Sequence, residues 1–343
     1  MRRLASLAMA ASFAVLLAMG PLSARADVKA LEEAAKKEGE ITWYVSHYTS
    51  EGAEELGATF TKLYGIKVNV VRTTAQVAYQ RLTQDIKNNQ TNCDVFSSTD
   101  IGHFVRLKKE GKLEKYTPED ASKILDVFKG LDPDGYYHTT SGGFVLITYN
   151  TSKVKPEEAP QKWTDLLDPK WKGKISTGHP AFSGYVGTWV LQMKLTYGWD
   201  FFKKLEKNKP QIGRSINDTV TALNAGERQV AAGADGSTMF SAGRGNPLGI
   251  IYPSDGAVLI IAPSGIVKGT KHPNAARLFM EYLYSKEASE INVKHFGLPM
   301  RPEVPVGKGE KPMAEVKSIH PTVAQIDKGI PEAIEDWRDT FGN

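Results

Sequence analysis

The stretch EITWYVSHYTSEG, residues 40–52, holds the fold in outline. Its apolar run at 41–45 is a short strand, the hydroxyl-rich Ser46-His47-Tyr48-Thr49-Ser50 ends it, and Leu56, Phe60 and Leu63 then recur at helical spacing through residue 64. A β-branched alternating strand follows at 66–71, a helix at 75–87, a buried strand at 93–96 and a helix at 101–110 that Asp100 caps. Strand and helix in alternation predict an α/β domain, its mostly parallel sheet covered by helices on both faces.

The rhythm restarts near Leu131. A strand-rich stretch at 136–149 surrounds Ser141-Gly142-Gly143. A short helix at 163–167 precedes a turn at 169–173, and strands at 174–176, 212–213 and 229–232 alternate with helices at 185–196, 216–224 and 237–242. Two apolar strands, 249–252 and 257–262, then lead to helices at 274–284 and 286–295 and a Pro-rich stretch over 299–312. The reading divides the chain into a signal (1–26), a first lobe (27–130, rejoined by 257–343) and a second lobe (131–256). Two or more crossings join the lobes as a hinge, with a ligand cleft between them.

Residues 1–26 have a basic start (Arg2, Arg3), an apolar run over 4–19 and the small-residue end Ala24-Arg25-Ala26. This is the layout of a secretory signal cleaved after Ala26, and the run is short of the roughly 20 residues that span a bilayer. The expectation is an exported periplasmic protein, free in solution, because the only cysteine, Cys93, lies far from the cleavage site and offers it no thiol for a lipid. The whole chain carries 43 Lys and Arg against 39 Asp and Glu; the signal holds three of the bases and no acid, which leaves 40 against 39. No basic run exceeds two residues, so nucleic acid is excluded as a partner. One cysteine makes no internal disulfide, so stability rests on burial, and the remaining 317 residues exceed the size at which one core stops growing.

Enzyme signatures are missing: there is no GxSxG elbow, no HExxH helix, no Walker-type phosphate loop and no GxGxxG after a strand. The seven histidines show no metal-ligand spacing, and Cys93 lies in an apolar run as a core residue. What recurs instead is small polar residues at the carboxyl ends of strands, where open α/β sheets place ligands. Ser46, His47 and Tyr48 follow the first strand, Thr73 and Thr74 the second, Ser98 and Thr99 the third. Ser141 sits in the Gly-rich stretch, Ser183-Gly184-Tyr185 opens a helix, and Arg214-Ser215 precedes another. Each is either an ordinary helix cap or a ligand contact. Converging helix starts, with unpaired N–H groups and partial positive charge, suit an anion. Gly184 lets a group approach the backbone. His47 and Tyr48 are exposed loop residues or ligand contacts, and Tyr185 and Tyr252 are core rings or stacking surfaces.

The stretches EITWYVSHYTSEG, FTKLYGIKVNVVRTT, CDVFSSTD, the YNTSKV strand, DPKWKGKI, FSGY, VTALNAGERQVA, LFMEYLYSKEASE and GLPMRPEV occur in this order across most of the chain. They resemble the periplasmic substrate-binding proteins of ABC importers associated with ferric iron, phosphonates and sugar phosphates. The resemblance implies the two-lobed, type II periplasmic binding protein fold, a monomer that takes a small-molecule solute in the interlobe cleft and presents it to an inner-membrane permease, with no catalysis and no cofactor. In ferric binders a consecutive tyrosine pair and an acid hold the metal; the matching positions here are Ser237 and Thr238, and Thr99. Ferric ion prefers anionic oxygen ligands, whereas the anion-holding helix start is retained as Ser183-Gly184-Tyr185. The implied ligand is therefore a small organic anion with a carboxylate, phosphate or phosphonate, with Asp235 placed for an amine or hydroxyl on the same solute and no metal site assigned. A ferric binder and a periplasmic enzyme are the alternatives.

Overall fold

The computed structural model describes residues 21–342, so the expected signal lies mostly outside the described residues, and its last part falls in the first helix, α1 (Pro21–Glu38). The first lobe runs β1 (Glu40–Val45), α2 (Ser50–Tyr64), β2 (Lys67–Arg72), α3 (Ala75–Lys87), β3 (Val95–Ser97) and α4 (Ile101–Lys109). The three strands pair in parallel, β2-β1-β3, as the alternating pattern predicts. The second part of the chain carries β4 (His138–Asn150), β5 (Ile175–Thr177), α5 (Gly184–Tyr197), α6 (Asp200–Lys207), β6 (Gln211–Ile212), α7 (Asp218–Asn224), β7 (Val230–Ala234), α8 (Asp235–Gly243), β8 (Leu248–Ile251) and β9 (Ala257–Ile266). It closes with α9 (Pro273–Leu283), α10 (Lys286–Lys294), β10 (Ser318–Ile319) and α11 (Val323–Phe341).

Two long strands connect the lobes. β4 and β9 lie antiparallel from His138 to Val145; the end of β9 pairs with β3 at Ser264–Ile266, while the far half of β4 pairs with β7. One sheet therefore passes through both lobes in the order β2-β1-β3-β9-β4-β7-β5-β6. The antiparallel centre is invisible to a strand–helix rhythm, because a fully buried strand reads as a plain apolar run whichever way its neighbour points.

Each lobe has its own aromatic core. In the first, Trp43 packs edge-on against Phe279 of α9 with ring centres 5.0 Å apart, and its Nε1 donates to Ser97 Oγ at 2.7 Å. In the second, Trp163, Trp189 and Phe202 are fully buried, and Trp337 of α11 joins them. The other end of α11 lies elsewhere: Ile326 and Ile330 share a buried cluster with Leu191 of α5 and Leu107 of α4. The last helix thus braces both lobes. Cys93 is buried, and burial pushes its thiol well above the ordinary value, as befits a core residue.

Candidate ligand-binding cleft

A cavity opens between the lobes where strand ends and helix starts converge. Ser46, His47, Tyr48 and Thr49 reach it from the β1–α2 turn, Arg72, Thr74 and Ala75 from the β2–α3 turn, and Thr99 from the β3–α4 turn. Ser141 and Gly142 come from the crossing strand β4. Ser183 and Tyr185 come from the start of α5, Ser215 to Asn217 from the turn before α7, and Asp235 to Ser237 from the start of α8.

The side chains at these helix starts divide into those that cap their own helices and those that do not. Thr49 accepts from the Gly52 N–H and Asp100 from the Gly102 N–H, so both are spent on their own helices. Thr74 and Ser183 hold the same N-cap positions on α3 and α5, yet their side chains make no capping bond. Ser98 lies outside the cavity lining, its Oγ 2.9 Å from His103 Nδ1 and accepting from the Asp100 N–H; Thr73 is also outside, its N–H donating to the Val45 carbonyl. Gly184 serves a close approach, and what approaches is the backbone of Thr99. Ser46 is partly committed, since its Oγ accepts from the Thr99 N–H at 3.2 Å, and the Tyr48 hydroxyl donates to the Thr140 carbonyl at 2.8 Å. Tyr252 lies off the cavity with its hydroxyl accepting from the Lys311 N–H, whereas Tyr185 lines it.

Buried polar atoms in native proteins have partners, and here several without one gather at a single place. Both ring nitrogens of His47, Thr74 Oγ1, Ser237 Oγ and His295 Nδ1 are buried with no hydrogen-bond partner, and all four residues line this cavity. Arg72 is the strongest charge among the lining residues. Its Nε donates to the Tyr48 carbonyl at 3.1 Å, it makes no salt bridge among the described residues, and burial pushes its guanidinium below the ordinary value. Burial, and then the neighbouring Arg72, push the His47 imidazole down to about 3, so the ring is neutral. Burial raises the phenols of Tyr48 and Tyr185 well above the usual range. Asp235 accepts from the Phe144 and Gly236 N–H groups at 2.9 and 2.7 Å, yet burial without a cation pushes its carboxyl up to about 7. The cleft thus holds a guanidinium without an acid beside it and a carboxyl without a cation.

Two parts of this lining were not singled out from the sequence. Arg72 ends the β-branched strand in NVVRTT, and a charge at the end of such a strand is the available signal. Asn292, His295, Phe296 and Gly297 form a further wall at the C-terminal end of α10, at least 220 residues from Arg72 (292 − 72), with no local motif to mark them.

Residues 90–320 match the family described as bacterial extracellular solute-binding protein. The chain is 25% identical over 313 residues to the putative 2-aminoethylphosphonate-binding periplasmic protein of Salmonella typhimurium, covering 88% of this chain and 86% of that one. It is 25% identical over 327 residues to iron uptake protein A1 of Synechocystis, covering 86% and 87%. Among solved structures, the periplasmic binding protein AfuA of Actinobacillus pleuropneumoniae with bound fructose-6-phosphate superposes with a TM-score of 0.80 at 23% identity, over 89% of this chain and 99% of that one. Among the described residues no helix is long and apolar enough to cross a membrane. With a two-lobed type II binding-protein fold and a polar cleft at its hinge, the chain belongs to the bacterial extracellular solute-binding proteins, a family that serves ABC importers and not catalysis.

Proposed function

We propose that this chain captures a small organic anion bearing a carboxylate, phosphate or phosphonate group in the periplasm and delivers it to an inner-membrane permease. The observation that carries this reading is Arg72, a mostly buried guanidinium in the interlobe cavity with no acid paired to it. A buried charge without a partner is costly, and an anion entering the cavity supplies the partner. Thr74, Ser183, Ser237 and the neutral His47 add hydrogen-bond donors, and the starts of α3, α5 and α8 add favourable dipoles. Asp235 on the facing lobe receives a hydroxyl or ammonium of the same solute. The anion bonds to both lobes only when they are closed, so binding shifts the population toward the closed form that the permease reads.

The 2-aminoethylphosphonate-binding relative and the fructose-6-phosphate complex support a phosphorus-containing anion, and iron uptake protein A1 supports iron. Ferric ion fits this donor set less well. By the family resemblance Ser237 and Thr238 stand at the tyrosine-pair positions, Thr238 Oγ1 is spent on the Ala234 carbonyl, and burial raises the phenols of Tyr48 and Tyr185. Among the described residues no three His, Cys, Asp or Glu side chains come together as ligands. The reading includes export with cleavage after Ala26, a monomer without affinity for nucleic acid, a first lobe of 27–130 with 257–343, and a second lobe of 131–256 onto which α11 also packs.

The test is thermal unfolding of residues 27–343 against phosphonates, sugar phosphates, carboxylates and ferric citrate. A solute at a hundred times its Kd adds about 2.7 kcal/mol, a shift of a few degrees. A shift with one organic anion and none with iron supports the reading; a shift with ferric iron alone, accompanied by visible colour, overturns it.

A further inference from the structure

The cavity that holds Arg72 is small. It encloses about 80 Å³, whereas benzene binds in a cavity of about 150 Å³, so it takes an anionic group and a few atoms beyond it. Thr49, Arg72, Asn217 and Ser237 also line a second recess of about 290 Å³, bounded by the first turn of α2 and one face of α8. The two spaces share these four residues, and the outer part of a captured solute projects from the first into the second.

The face of α8 that bounds the recess is set by its sequence. In DGSTMFSAGR, residues 235–244, Ser237, Phe240, Ser241 and Arg244 stand at i, i+3, i+4 and i+7, the spacing that aligns side chains along one side of a helix. Ser237 lines both spaces, whereas Phe240, Ser241 and Arg244 line the outer recess alone. Helical side chains lean toward the N-terminus, and the Arg244 guanidinium accordingly lies over the Phe240 ring, 4.3 Å from its centre. That contact holds the charge about one helical turn, ~5 Å, along α8 from Ser237.

Arg244 is only lightly engaged. Its Nη2 donates to Glu51 Oε1 at 3.2 Å, both side chains are exposed, and an exposed pair of this kind contributes little. Its other N–H groups make no hydrogen bond among the described residues. Glu51 is the one acid lining the recess, against the two guanidiniums of Arg72 and Arg244. The recess therefore keeps an excess of positive charge, and a guanidinium fork is matched to a carboxylate or a phosphate.

We propose that this recess is a second anion subsite, so that the captured solute carries two anionic groups on a short spacer, one held by Arg72 and the other by Arg244. The inference rests on the anion reading above and narrows it. The distal group takes the free N–H groups of Arg244, and Glu51 opposes it as a like charge competing for the same guanidinium.

The test compares matched probes by calorimetry on residues 27–343: 3-phosphonopropionate against propylphosphonate, fructose 1,6-bisphosphate against fructose 6-phosphate, and glutarate against butyrate. For the anion class that binds, the two-headed member is expected to bind about fivefold tighter or more. Arg244→Gln is expected to bring the ratio to within about twofold by weakening the two-headed member. Glu51→Gln, which removes the competing carboxylate and leaves Arg244 in place, is expected to strengthen the two-headed member about twofold or more and to widen the ratio. An equal change in both members in Glu51→Gln, as from an ion pair that merely ties α2 to α8, overturns the inference. Equal binding of the paired probes by the native protein, or a preference unchanged in Arg244→Gln, overturns it as well and leaves the anion reading intact. Binding of none of the six probes overturns the anion reading and the inference together.

Discussion

Gly184 at the start of α5 lies against Thr99 in the β3–α4 turn so closely that a Cβ on the glycine would stand 2.5 Å from the Thr99 carbonyl. In the proposed division Thr99 belongs to the first lobe and Gly184 to the second, so a side chain at 184 is expected to limit how far the cleft closes. Gly184→Ala is expected to hold the lobes apart and weaken solute binding at least about tenfold, the effect of losing one or two closed-form hydrogen bonds. Titration calorimetry measures the affinity, and small-angle scattering of the solute-saturated variant is expected to show a larger radius of gyration than the native complex. Unchanged affinity would show that closure does not depend on this contact.

Arg72 is expected to separate stability from function. Its guanidinium is mostly buried and unpaired in the empty cleft, so Arg72→Met removes a desolvated charge and keeps most of the side-chain volume. The solute-free variant is expected to unfold at the native temperature or above it. Anion affinity is expected to fall about a hundredfold or more, the scale reported for removing one member of a buried charge pair. A melting temperature lowered by several degrees would mean that the bond from Nε to the Tyr48 carbonyl outweighs the desolvation cost.

The cleft also imposes opposing pH dependences on the solute-free protein. Asp235 has its carboxyl raised from 3.8 to about 7, so the folded state holds a proton that the unfolded chain releases. Its contribution is full below pH 4 and is lost as pH rises toward 7. His47 is lowered from 6.5 to about 3, so its contribution is full above pH 6.5 and is lost as pH falls toward 3. Denaturant titrations of Asp235→Asn between pH 5 and 8 are expected to lack the alkaline-side decline of the native protein. Those of His47→Asn are expected to lack the acid-side decline, each a change on the order of a few kcal/mol over its window. Parallel native and Asp235→Asn curves would show that the carboxyl titrates in its ordinary range.

Trp337 tests the brace formed by α11. The indole is fully buried, with its ring centre 5.5 Å from that of Phe202 and 4.2 Å from that of Phe341. Trp337→Ala is expected to cost about 3–5 kcal/mol in chemical denaturation. It lies outside the cavity lining, so solute affinity at 25 °C is expected to change less than about threefold, within the range of a distant packing change. A selective loss of affinity with little loss of stability would assign α11 to lobe closure instead of core packing.

Much of this molecule could be read locally. Period-two and helical spacings located β1, α2, β2 and α3 within a residue or two, because a helix or strand buries one face and its neighbours along the chain reveal which. Strand-end hydroxyls pointed to Ser46, Ser183 and Ser215, which line one cavity, for the same reason: helix starts leave N–H groups unpaired, and small polar residues gather there. Local patterns carry no account of what lies across the molecule. That Gly184 accommodates Thr99 and that Arg72 has no acid beside it are relations between residues far apart in the chain. The wall of Asn292 to Gly297 depends on the return of β9 beside β3, which brings α10 back over the cleft. Spacing along a chain encodes which face is buried; burial of a charge, and whether a partner meets it, exists only once the chain has folded on itself.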